Sequence, residues 1–207
     1  MQLSARLFAT VIGATALAGA AHAAVIVNGD FNNPNVGGGY GQFATIPGWF
    51  DTSDTLEVGA SSVYGLPCET AGCQNLEVNA NTFDTVSQTV TGLTAGDTYF
   101  LSWDYGGRNG GGAQQLDVSF GGTQVATDTS DGVNAVWTPN RVAIVATGST
   151  ETLTFQSINV GGTPSYGNEL TGVSISVPEP AAWALMILGF AGLGGALRAR
   201  RGNLRLA

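Results

Sequence analysis

Lysine is absent from this 207-residue chain, and histidine occurs only once, as His22 in an apolar leader. Downstream of that leader there is neither imidazole nor ammonium. A Ser-His-Asp or Cys-His device cannot be assembled there, and GGRNGGGA at 106–113 lacks the Gly-Lys-Ser/Thr ending of a phosphate loop. Positive charge is scarce too: between Ala24 and Val177, Arg108 and Arg141 stand against fourteen carboxylates, a net charge near −12. Such a surface repels phosphate backbones, which excludes nucleic acid as a partner. With two cysteines and one histidine, the usual zinc ligand sets cannot be completed. Long helical periodicity is missing between Ala24 and Val177, so helix bundles and βαβ units are excluded there.

Both ends carry the features of an exported protein. Arg6 supplies a positive start, Leu7 to Ala20 an apolar stretch and Ala21-His22-Ala23 a small-x-small cleavage site, so residues 1–23 read as a signal peptide removed by signal peptidase. At the other end Pro178-Glu179-Pro180 precedes an uncharged stretch from Ala181 to Leu197, followed by Arg198, Arg200, Arg201 and Arg205. As a helix this stretch would reach ~26 Å at ~1.5 Å per residue. It crosses a bilayer if the membrane thins or the arginines snorkel, and the arginines stay cytoplasmic.

This tail, with Trp183, Ala184, Met186, Gly189-Phe190, Leu193 and Gly194-Gly195, resembles the sorting signal of the PEP-CTERM proteins of Gram-negative bacteria. The resemblance implies a tripartite signal over 178–207: the motif at 178–180, a transmembrane helix at 181–197 and a basic tail at 198–207. It also implies processing by an exosortase-type membrane protease, a transient stay in the inner membrane, and delivery to the cell surface or extracellular matrix. The domain at 24–177 is the exported cargo. Export suits a local disulfide between Cys68 and Cys73 of CETAGC.

Short β-rich segments fill that cargo, near Val25–Phe31, Thr55–Ala60, Gln74–Val78, Asp84–Thr91, Thr98–Tyr105, Gln114–Phe120, Thr123–Thr127, Ala135–Ala146, Glu151–Ser157 and Leu170–Val177. Tyr99, Leu101, Trp103 and Tyr105 share one face, as do Leu116, Val118 and Phe120. Turn residues at Gly92–Asp97, Gly121-Gly122 and Gly148–Thr150 predict antiparallel hairpins, and the glycine run at 106–113 a flexible connection. The expected fold is an all-β antiparallel β-sandwich, a jelly roll of about eight to ten strands. VNGDFNNP, IPGW at 46–49, QTVTGLTAGDTYFLSWDY, VAIVATGSTETLTFQSI and NELTGVSISV together resemble galactose-binding-like jelly rolls of secreted, wall-associated domains.

Candidate ligand groups follow from residue chemistry. Sugar binding wants an aromatic plane ringed by polar groups, and Trp49 in the Pro47-Gly48-Trp49 turn is the first choice, with Tyr40, Tyr64 and Tyr166 in Gly-rich loops and Arg108 beside them. Trp103 and Trp137 lie on strands and are assigned to the core. Asp30, Asn32 and Glu169 would supply oxygens for a structural Ca2+ if the first and last strands are neighbours, as in the resembled fold. No motif singles out a catalytic acid and base. The expectation is a non-catalytic module contacting extracellular polysaccharide. A structural matrix protein without discrete ligand and a carboxylate-based glycan hydrolase remain the alternatives.

Overall fold

The structure, a computed structural model, describes residues 24–52, 55–178, 186–195 and 198. Eleven strands form two antiparallel sheets. In chain order they are β1 (Tyr40–Phe43), β2 (Phe50–Asp51), β3 (Leu56–Ala60), β4 (Gln74–Glu77), β5 (Thr85–Thr91), β6 (Thr98–Gly106), β7 (Gln114–Phe120), β8 (Thr123–Ser130), β9 (Trp137–Val145), β10 (Thr150–Ile158) and β11 (Glu169–Ser176). A six-stranded sheet has the order β1-β3-β4-β11-β6-β9, and a five-stranded sheet the order β2-β5-β10-β7-β8. This is the expected all-β sandwich.

Alternation along the strands builds the core. Leu101, Trp103 and Tyr105 face inward from β6, as do Leu116, Val118 and Phe120 from β7, and Trp103 meets Phe155 of β10 edge-on at 6.1 Å. The indole N–H of Trp103 is satisfied by Asp128 at 2.7 Å, so a large ring is buried without stranding its donor. Trp137 is only half-buried, its indole N–H donating to the Pro67 carbonyl.

Departures from the expected elements have local causes. Residues 25–31 form no strand beyond an isolated bridge between Val25 and Thr91. The side-chain amide of Gln88 takes the place of a strand partner there, accepting from the Val27 N–H at 2.7 Å and donating to the Val27 carbonyl at 2.9 Å. β1 and β2 lie in stretches too short and too Gly-rich to read as strands. Of the three turns expected to close hairpins, Gly121-Gly122 does so, between β7 and β8. The turns at 92–97 and 146–149 instead carry the chain from one sheet to the other, because β5 and β10 belong to the five-stranded sheet and β6 and β9 to the six-stranded one.

The glycine run at 106–113 is pinned rather than loose. The Gly110 N–H donates to Gly132 O at 2.8 Å, and the Thr163 N–H to Gly111 O at 2.8 Å. Buried Gln114 ties the same region together, its Nε2 reaching the carbonyls of Gly111, Thr163 and Tyr166 at 2.9, 3.2 and 3.0 Å. At Gly132, with φ +70°, a Cβ would come within 2.5 Å of the Gly112 backbone, so the close approach needs glycine. Cys68 and Cys73 form a disulfide in the loop between β3 and β4.

Residues 186–195 are helical, with Ile187, Leu188, Phe190 and Leu193 exposed. Among the described residues no helix is long and apolar enough to cross a membrane. The leader 1–23, Glu179, Pro180, Arg200, Arg201 and, within the 181–197 segment, residues 181–185 and 196–197 lie outside the described residues.

Candidate ligand pocket

The outer face of the six-stranded sheet carries an unusual row. Leu56 and Val58 of β3, Leu76 of β4 and Leu170 of β11 enter the core, so alternation turns Glu57, Glu77 and Glu169 to the opposite face. The strand register sets them side by side: Gln42 pairs with Glu57, Glu57 with Glu77, Glu77 with Glu169, and Glu169 with Gly106. An outward face would ordinarily be wet, yet the three glutamates are 6%, 1% and 0% exposed.

The covering is supplied by a 3-10 turn, Ser61–Tyr64, which folds back over β3. Tyr64 lies across Gly59 where any side chain would collide with its ring, and its hydroxyl donates to Glu57 Oε1 at 3.0 Å. Gln42 Nε2 donates to Glu57 Oε2 at 2.8 Å. From the loop after β6, Arg108 Nη1 reaches Glu77 Oε2 at 3.2 Å and Ser165 O at 3.5 Å. Its guanidinium lies 5.0 Å from the Tyr64 ring centre and 4.0 Å from that of Tyr166, a cation held between two aromatic faces. The Gly167 N–H donates to Glu77 Oε1 at 3.0 Å, and Asn75 donates to Glu169 Oε2.

Three carboxyls against one guanidinium cannot all be ionised in so dry a place. Burial pushes Glu77 up to about 8; the Gly167 N–H and Arg108 pull it down, and Glu57 pushes it further up. Burial, followed by the neighbouring Glu77, raises Glu169 well above the ordinary carboxylate range. Glu169 Oε1 has no hydrogen-bond partner among the described residues, so charging it would leave a buried anion half solvated by protein. The Arg108–Glu77 contact has ion-pair distance, but burial outweighs the arginine. Tyr64 is raised too, first by burial and then by the three glutamates.

Above this row opens a cavity of about 250 Å³, lined by Tyr40, Gln42, Glu57, Tyr64, Asn81 and Arg108 among others. Tyr40 is 62% exposed at the start of β1, so its ring is free to stack on a ligand. Tyr64 lines the cavity but is buried, 2% exposed. Tyr166 sits on the far side of Arg108, half-exposed. Four of the five residues expected to contact sugar thus gather in one place.

Trp49 does not join them. The turn at Gly48 drives the indole into the core, 3% exposed, 5.2 Å from Phe31 and 6.1 Å from Phe155. Its N–H donates to Asn28 O at 3.1 Å, leaving no face for a ligand. The expected calcium set does not assemble either. The N-terminal segment does meet the last strand, through the Val173 N–H and Gly29 O. Glu169, however, lies four residues from Val173 along β11, roughly 13 Å at strand spacing, and bonds to Asn75. Asp30 and Asn32 bond to each other at 2.7 Å, and Asn32 reaches the Ala71 carbonyl. Among the described residues no group of three His, Cys, Asp or Glu is placed to hold a metal ion.

No family model matches this chain, and no curated protein matches it. Solved structures do. A cyclase from Fischerella sp. TAU in complex with 4-(1H-indol-3-yl)butan-2-one is 17% identical over 75% of this chain and 97% of its own, with a TM-score of 0.50, a likeness of fold. TmCBM61, solved with β-1,4-galactotriose, is 12% identical over 74% of this chain and 97% of its own, at 0.48. The C-terminal domain of EclA, a sugar-binding protein, is 25% identical over 44% of this chain; the match spans just under two thirds of that domain's chain, 64%, at a TM-score of 0.36.

Proposed function

We propose that this chain is a non-catalytic module that holds a neutral glycan in the pocket between Tyr40 and Arg108, on a protein exported and sorted through its C-terminal signal. The observation that carries the reading is the convergence of Tyr40, Tyr64 and Arg108 with the amides of Gln42 and Asn81 around one cavity, with Tyr166 against Arg108 beside it. An exposed ring stacks on the C–H face of a pyranose, while amide, guanidinium and carboxyl groups match its hydroxyls as donors and acceptors. Carbohydrate is also the ligand class of two of the similar structures, the sugar-binding EclA domain and TmCBM61.

Hydrolysis is disfavoured by the burial of the acids. Glu77 and Glu169 are 1% and 0% exposed, and of the three glutamates only Glu57 lines the cavity. A glycosidase needs two carboxyls flanking the scissile bond, and here only one reaches a ligand. Sorting draws its support from the Pro-Glu-Pro, apolar and arginine sequence of the tail. Affinity electrophoresis in gels containing β-galactan, xylan, β-glucan or mannan tests the binding. At least one gel should retard the protein, and Tyr40→Ala should restore its mobility. Free migration in all four gels, or retardation untouched by Tyr40→Ala, refutes the pocket.

A further inference from the structure

A second and larger cavity, about 540 Å³, opens beside the loop that carries Arg108. Gly107 lines this cavity while the next residue, Arg108, lines the first, so the 106–113 loop stands as a ridge between the two. Both cavities lie at the same end of the sandwich, where β4 and β6 end and β9 and β11 begin. Tyr166 sits at the ridge, its ring against the guanidinium of Arg108 at 4.0 Å and 40% exposed.

The lining of the larger cavity suits the same class of ligand. Thr129, Asn134 and Thr138 offer hydroxyl and amide groups, while Val136, 58% exposed, presents apolar surface of the kind that meets sugar C–H groups. Asp131 and Ser130 are engaged locally, accepting from the Val133 and Gly132 N–H groups at 2.9 and 3.1 Å, and so hold the 131–136 loop in shape. The ridge is equally fixed by its bonds to Gly132, Thr163 and Gln114. A surface of this stiffness loses little entropy when a chain settles on it.

From these features we infer that the cavity at Asn134 and Val136 is a second subsite, and that the module takes an internal stretch of a neutral polysaccharide running from Tyr40 over Tyr166 to Thr138. The strands at the two ends of that path, β1 and β9, are separated by five strand spacings, about 24 Å. That is a path for several sugar rings rather than one. This assignment rests on the glycan reading of the first pocket, yet it makes a separate demand on chain length.

The test uses oligosaccharides of two to eight residues cut from whichever of the four polysaccharides retards the protein, titrated by calorimetry. Affinity should climb at least tenfold from the disaccharide to the hexasaccharide and then level off. In the doubly substituted Asn134→Ala, Val136→Ala protein the climb should vanish while disaccharide affinity stays that of the parent. Both positions are exposed, and a thermal melt superposing on the parent's establishes that the variant is folded. Affinity that is flat from the disaccharide upward overturns the second subsite and leaves the first pocket standing. A climb that persists in the double variant overturns it too. Failure of every oligosaccharide to bind removes the glycan reading itself.

Discussion

Replacing Trp49 by Ala separates a core role from a surface role. The indole fills the space between Phe31 and Phe155, with only 3% of the residue exposed, so truncation removes a buried ring from a packed layer. Buried Phe or Trp to Ala changes cost about 3–5 kcal/mol, the spread reflecting how far the surroundings collapse. The lost indole hydrogen bond adds little, because Asn28 O also accepts from the Phe31 N–H at 3.2 Å and is not left bare. A domain of this size is held by roughly 5–15 kcal/mol in all, so the variant should be marginal but foldable in the cold. At ~2–4 °C per kcal/mol, the melting temperature should drop by about 6–20 °C. Urea titration with an unchanged slope is the assay, alongside glycan binding at low temperature. The folded fraction should bind as the parent does. Loss of binding with stability unchanged within ~1 kcal/mol would refute the core assignment and return Trp49 to the surface.

Other outcomes follow from the same geometry. Glu77 is raised from 4.5 to about 8 in the folded protein, so its stabilising effect is complete below pH 4.5 and is lost as pH climbs to about 8. Stability should therefore fall by on the order of 4 kcal/mol across that window, and Glu77→Gln should flatten the fall in melts at stepped pH; a profile identical to the parent's speaks against the buried row. Gln114→Ala strands the Thr163 and Tyr166 carbonyls near the ridge, while Gly111 O keeps its bond from the Thr163 N–H, so we expect a loss of about 1–3 kcal/mol and faster amide exchange through 106–113 and 163–167. Exchange unchanged in those loops would mean that Gln114 does not hold them. Intact-mass measurement with and without reductant should show a 2 Da gain, from two hydrogen atoms at ~1 Da each, as the Cys68–Cys73 bond opens.

Much of the sandwich is visible in the alternation of β6, β7 and β10, where a period of two and bounding turn residues leave little ambiguity. The sheet assignment is not, since a Gly-rich turn looks the same whether it closes a hairpin, as at Gly121-Gly122, or arches between layers, as before Thr98 and Thr150. Tyr40, Tyr64, Tyr166 and Arg108 were legible as loop residues with the right chemistry. Their meeting depends on register and on the 3-10 turn over Gly59, which no local pattern encodes. The same turn explains why Glu57 and Glu77, solvent-facing by alternation, are buried instead. Trp49 misled because a Pro-Gly-Trp turn suggests an exposed tip, whereas the positive φ of Gly48 (+83°) directs the ring inward.

The most direct test of the pocket is backbone amide shift mapping of the labelled protein, titrated with a tetrasaccharide of the glycan that retards it. We expect the perturbed amides to cluster at Tyr40, Gln42, Tyr64, Asn81, Arg108 and Ser165, with Trp49 silent. Perturbations confined to the five-stranded sheet, or centred on Trp49, would contradict the account.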